Sequence, residues 1–375
     1  MKRVLKSILI ISLCLGLGFA IGYVFGKLFG GGSVEHAQTH DGEIWKNITL
    51  IVISSLLGVF GGGFLQVIIH EAGHLVCGLI SGYKFVSFRV LNLTLLKEDK
   101  KFKIKNFSLG GTAGQCLLFP PNKPVEKVPI VLYLLGGLLF NLLLTAMCIA
   151  IAKWGSDIKF LNFALYLVAA IGVLIILLNG FPMTLSGFPN DGYDLLHLKG
   201  NLKAKSASLN ILRTNALIQE GTSPADLSPE YFTQLKDADL SNSLEANLAV
   251  LYISVLVGKG AVSEAENLCR RIIEESTVDM LKTEAKVDFA CLLFNEGKTD
   301  EAMGLFDEKE LNMIERSAKT QSSKQRFLFM RALKAENDRQ KALDIFEHVQ
   351  TNKDKYLLQG EVAMDLDLMW NALKE

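Results

Sequence analysis

The sequence predicts a membrane protein that is mainly α-helical. It has about four transmembrane helices with a short membrane-associated β-hairpin, followed by a soluble all-α domain of helical repeats. Three observations predict this. Of the 375 residues, 50% are hydrophobic, and the mean hydropathy is +0.29. Charged residues are scarce up to about Leu196 and dense afterwards. Beyond Lys199 three stretches echo one another at similar spacing. The formal net charge is zero, so no global field favours a nucleic acid or an acidic substrate. The boundaries that follow are 1–47 for an N-terminal anchor and external loop, 48–198 for a membrane core, and 199–375 for the helical domain.

A bilayer core takes about 20 mainly apolar residues per helix. Four runs qualify: Ile8 to Phe29, Ile48 to Ile80, Pro129 to Ile151, and Phe160 to Phe181. The first begins after Lys2, Arg3 and Lys6, as a signal peptide does, but its apolar run continues past the weak Gly18-Phe19-Ala20 cleavage pattern. It reads as an uncleaved anchor. The second is overlong and contains Gly61-Gly62-Gly63, read as a packing notch or kink in one span. The Lys/Arg-rich loop from Lys84 to Lys127 is expected on the cytoplasmic side. The N-terminus and everything beyond the fourth span are then cytoplasmic too, in a multi-pass cell-membrane protein.

The second run ends in His70-Glu71-Ala72-Gly73-His74, the HExxH pattern. Four residues are roughly one helical turn, so both imidazoles leave one face about 6 Å apart, as two corners of a zinc site require. Glu71 stands beside them, placed to take a proton rather than to bind metal. A chain of this length contains the pattern by accident in about one case in a hundred. Accidental copies belong on polar helices, whereas these groups lie at membrane depth, where unpartnered polarity is costly.

Catalytic zinc takes three protein ligands and keeps a fourth position open. The fourth run ends in "NGFPMTLSGFPNDGYD", Asn179 to Asp194, whose prolines and glycines break the helix. Both the second and fourth spans run inward, so Asp191 reaches the same membrane face as His74. Asp194 is the rival ligand. Asp191 or Asn190 alternatively caps the next helix. These residues resemble the site-2 protease family of intramembrane zinc metalloproteases, over about residues 48–194. The resemblance implies one Zn²⁺ per chain held by His70, His74 and Asp191, with Glu71 as general base. It matches Asn141, in Gly136-Gly137-Leu138-Leu139-Phe140-Asn141, to the family's intervening-helix asparagine, although the proline of that motif is absent. The linker from Asn179–Pro182 to Asp191 is about four residues longer than in many members, and no PDZ-like domain is present.

Asn141 reads as a catalytic donor to the oxyanion or a clamp on substrate, or else as an interhelical hydrogen bond. Asn179 reads as structural, bonding free backbone groups at the Pro182 bend. "KFVSFRVLNLTL" (Lys84–Leu95) and "KFKIKNFSL" (Lys101–Leu109) read as two strands of one hairpin around Lys-Glu-Asp-Lys. Its edge pairs with an unwound substrate, or its lysines face lipid phosphates. His36 and His40, in a short polar stretch, read as an external loop.

The echoing stretches are "LVGKGAVSEAENLC", "LFNEGKTDEAMGLF" and "LKAENDRQKALDIF", aligned on Ala265, Ala302 and Ala342. They resemble tetratricopeptide hairpins at looser spacing. Ser228-Pro229 is expected to open a helix as N-cap and N1. The six cysteines have no CxxC spacing, so neither a disulfide framework nor a thiolate zinc site is expected. The function these signs favour is an intramembrane zinc metalloendopeptidase, with the lipid bilayer as environment, membrane-spanning protein or peptide substrates, and a cytoplasmic protein partner at the repeats. One alternative is a catalytically silent membrane scaffold or receptor that uses those repeats. Another is a metal transporter, which lacks a polar path through the other spans.

Overall fold

A computed structural model describes residues 41–98, 101–107, 113–185, 188–198 and 200–374. The first expected span and the His36/His40 stretch lie outside these residues, as do residues 108–112. The described chain is mostly helical with a small antiparallel sheet, and it divides into two compact units.

The first unit holds three helices long and apolar enough to cross a membrane, within Lys46–Ile80, Val125–Gly155 and Lys159–Gly180. The longest joins α1 (Asp41–Leu56) to α2 (Gly62–Ile80) through a π-helical turn at Leu57–Gly61. α3 (Val131–Ala150) and α4 (Lys159–Gly180) complete the bundle. Residues Ser54, Gly58, Gly62, Gln66, His70 and His74, four apart in sequence, are all buried. This stripe faces the other helices, whereas Phe60, Leu143 and Met147 are exposed on outer faces. The expected notch is real but differently phased. A Cβ at Gly58 would come 2.7 Å from Leu167 Cβ, and one at Gly62 2.6 Å from Val168 Cγ2. Gly61 and Gly63 meet nothing within 4 Å. Two of these glycines admit α4, and the triplet as such does not.

After α4, the short helix α5 (Asp191–Leu198) follows a two-residue ladder between Thr184–Leu185 and Phe188–Pro189. Residues 190–193 of this stretch belong to the first unit.

The second unit begins with the sheet. Strands β1 (Lys84–Val90), β2 (Leu93–Glu98), β3 (Lys101–Asn106) and β4 (Gly114–Phe119) lie in the order β3-β2-β1-β4, all antiparallel. The single strand expected over Lys84–Leu95 is thus two strands, and β4 was not foreseen. Leu91 takes φ +52° and turns the chain where the sequence carries no glycine or proline as a signal. One face of the sheet packs on α6 (Leu202–Gln219), with Val86 and Leu117 against Ala216 and with Ser87 Oγ donating to Gln219 at 3.1 Å.

Beyond α6, a 3₁₀ segment runs from Pro229 to Asp237. Ser228 occupies its N-cap position, but its hydroxyl donates to the Glu230 carboxylate rather than accepting from backbone. Helical hairpins follow. α7 (Ser243–Gly258) turns into α8 (Val262–Glu275), and α9 (Asp279–Asn295) into α10 (Thr299–Gly304). After α11 (Glu308–Ser317), α12 (Ser322–Met330) extends through a π turn and meets α13 (Arg339–Thr351), and α14 (Gln359–Lys374) closes the unit. The three echoes are the three turns. Gly260, Gly297 and Asn337 take positive φ of 70°, 74° and 52°, each five residues ahead of a fully buried alanine: Ala265, Ala302 and Ala342. The left-handed residue reverses the chain, and the methyl lets the returning helix close on its partner.

Candidate metal centre

α2 carries His70 and His74 on its buried stripe, and the chain after α4 brings Asp191 to them. His70 Nε2 lies 3.1 Å from Asp191 Oδ2, His74 Nε2 lies 3.4 Å from it, and the two Nε2 atoms are 3.1 Å apart. Donors bonded to one tetrahedral ion at about 2.0–2.1 Å stand about 3.3 Å from each other. Among the described residues this is the one His/Cys/Asp/Glu group arranged to hold a metal, and Asp194 is not part of it.

The hydrogen bonds behind the rings decide what faces the centre. His74 Nδ1 lies 2.8 Å from the Tyr133 carbonyl, which only accepts, so Nδ1 carries the proton. His70 Nδ1 lies 2.6 Å from Asn141 Oδ1. The Asn141 amide is oriented in turn, because its Nδ2 donates to the Gln66 carbonyl at 2.8 Å and to Gln66 Oε1 at 2.6 Å. Both rings therefore turn an Nε2 lone pair toward Asp191 Oδ2. With both rings neutral, three acceptors converge with no donor among them, an arrangement that a cation would relieve. The donor set and its spacing fit a zinc-type ion.

Asn141 therefore stands behind His70. Both protons of its amide are used on Gln66, so in this geometry it is no oxyanion donor. It makes the interhelical bond that was the alternative reading. Glu71 sits half-buried on the neighbouring position of α2.

Glycines make the room. A Cβ at Gly137 would come 2.5 Å from His70 Cε1 and 2.6 Å from His74 Nε2. A Cβ at Gly73 would meet the Gly136 carbonyl oxygen at 2.1 Å, so α2 and α3 touch backbone to backbone beside the histidines. The bend before Asp191 is held by Asn190. Its Nδ2 donates to Leu178 O at 2.6 Å and Phe181 O at 2.7 Å, while its Oδ1 accepts from Met183 N at 3.1 Å and Tyr193 N at 2.9 Å. Asn190 both ties off the end of α4 and caps α5, which leaves the Asp191 carboxylate free for the histidines. Asn179, expected to serve the bend, instead donates to Ile175 O at 3.1 Å within α4. A Cβ at Gly192 would meet Gly180 O at 2.1 Å, so the residue after Asp191 must be small for the chain to pass.

Gln66 and the role of Gly137 escaped the sequence reading, whereas Asn190 caps α5 as one of the two expected alternatives and also ties off the end of α4. Gln66 had a signal, as an amide one turn ahead of His70 in an otherwise apolar run. The five described cysteines, Cys77, Cys116, Cys148, Cys269 and Cys291, are buried, as small hydrophobes are. No protein-family model, curated protein or solved structure matches this chain.

Proposed function

We propose that the protein is an integral-membrane zinc endopeptidase of the site-2 protease kind, hydrolysing peptide bonds of membrane-spanning substrates. The observation that carries the reading is the convergence of His70 Nε2, His74 Nε2 and Asp191 Oδ2 within 3.4 Å, all as acceptors, beside the Glu71 carboxyl on an apolar helix. When bound, zinc supplies a Lewis acid that polarises a peptide carbonyl and makes water acidic near neutral pH. His70 and His74 hold their tautomers through Asn141 and Tyr133. Glu71 accepts the proton of the attacking water and returns it to the leaving amine. The apolar walls of α2, α3 and α4 keep bulk water from the site and strengthen each electrostatic interaction within it.

The exposed apolar faces of three long helices support a bilayer environment, with the Lys/Arg-rich segment after α2 and the helical domain in the cytoplasm. β3 is an edge strand bearing exposed Phe102 and Ile104, which supports strand addition by an unwound substrate. The repeated turns favour a partner-binding role for the helical domain.

Full-length protein in lipid nanodiscs tests the reading. Wild type is expected to carry about one zinc per chain by elemental analysis. Glu71→Gln retains the zinc and loses cleavage by roughly 10²–10⁴-fold or more. In cells it accumulates uncut membrane fragments that co-purify with it. A metal-free wild type, or a Glu71→Gln form that cleaves normally, overturns the proposal.

A further inference from the structure

The two histidines are anchored differently. The His74 branch stops at once, on the Tyr133 carbonyl. The His70 branch continues through side chains: Asn141 Oδ1, then Asn141 Nδ2 to Gln66 Oε1, then Gln66 Nε2 to Val168 O at 3.2 Å and Thr145 Oγ1 at 3.5 Å. It links α2, α3 and α4 in turn. Gln66 is wholly buried, in a helix where an unbonded amide costs several kcal/mol and a leucine fills similar space without that cost.

The directions along this chain are forced from its far end. The Val168 carbonyl only accepts, so the Gln66 NH₂ turns to it and Gln66 Oε1 turns to Asn141. The Asn141 NH₂ then faces Gln66, its Oδ1 faces His70, and the His70 proton must sit on Nδ1. A separate observation concerns the space around the amide. A Cβ at Gly172 of α4 would lie 2.1 Å from Thr145 Oγ1 and 2.3 Å from Gln66 Nε2. The bundle forgoes a side chain where the Gln66–Thr145 pair sits.

We propose that Gln66 is a positioning residue of the metal centre, acting through Asn141 to orient the His70 ring and present its Nε2 to the ion. This rests on the metal reading above. The role is distinct from filling space, because it acts on one ligand and leaves His74 alone.

The test is Co²⁺ titration of the full-length, chelator-stripped protein in detergent, read by the visible ligand-field spectrum. Gln66→Leu is expected to bind Co²⁺ about 10-fold more weakly than wild type. Its bound-state bands should shift as His70 turns. Gln66→Met, unbranched and of similar length, guards against a failure to fold and should behave likewise. Leu167→Ala opens a cavity in the same bundle against Gly58 without removing any hydrogen-bonding atom of the relay, and should leave affinity and spectrum at wild-type values. Wild-type affinity and spectrum in the Gln66 variants overturn the proposal, as does an equal loss in Leu167→Ala. A wild-type protein that binds no Co²⁺ overturns the metal reading itself.

Discussion

Each unit buries a polar centre in apolar surroundings, and the two centres are completed in opposite ways. In the helical unit Arg326 pairs with Asp288 and, through Nε at 2.9 Å, with Asp365, while the nearby Lys324 pairs with Glu284. Arg326, Lys324, Asp288 and Asp365 are all buried. Opposite charges there are supplied by the chain itself. In the unit of long apolar helices the Nδ1 atoms of His70 and His74 and the amide protons of Asn141 are bonded outward, so that with neutral rings only acceptors face inward. The first centre carries its own counter-charges, and the second gathers groups that could hold a metal ion. Buried polarity is therefore structural where the chain closes its own accounts, and points to a ligand where it does not.

The comparison breaks most visibly at Arg326. Arg326→Leu removes the partner of two buried carboxylates and is expected to cost about 3–5 kcal/mol. Thermal unfolding followed by circular dichroism should show it, with metal content unchanged. Next is Gly137→Ala, whose methyl collides with both imidazoles. It is expected to weaken metal binding at least about 100-fold, since displacing ligands exceeds the cost of losing an outer partner. Competition with a calibrated chelator measures this. If Gly137→Ala loads normally, the three acceptors are not the ligand set.

The smallest effect sharpens the helical unit's side of the comparison. Burial, helped by the charges of Asp365 and Asp288, raises the Glu361 carboxyl pKa above its ordinary value. The folded state then binds more protons than the unfolded chain, so this group's contribution falls as pH rises from the usual carboxylate range to the raised value. Glu361→Gln should raise Tm by a few degrees at pH 8 and by nothing at pH 4, read from thermal scans across pH. An equal gain at both pH values would show that charge is not the cause.

Much of the His70–His74–Asp191 cluster was legible because its spacing is written locally. Spacing puts His70 and His74 on one face, and the parallel sense of two spans brings Asp191 toward them. The repeated turns were legible because each needs a left-handed residue and then a small one. What stayed hidden depends on partners distant in sequence. Gly137 is required by rings on another helix, and the Asn190 amide by the Leu178 and Phe181 carbonyls at the end of α4. The Leu91 turn was hidden for the converse reason. A leucine was placed at positive φ by strand pairing, against its own preference. Asn141 kept two readings, reacting group and interhelical bond, because a sequence does not say which way an amide points; here its amide donates to Gln66.

The π turn at Leu57–Gly61 carries a consequence for any homologue or variant with a shortened first segment. One residue fewer there would leave composition and length almost untouched, yet it would rotate everything before it by about 100° about the helix axis. Ser54, now enclosed, would swing toward the outer surface while His70 and His74 stayed in place. Hydropathy plots are blind to that rotation. The phase of this helix, rather than its oiliness, is what a single deletion would destroy.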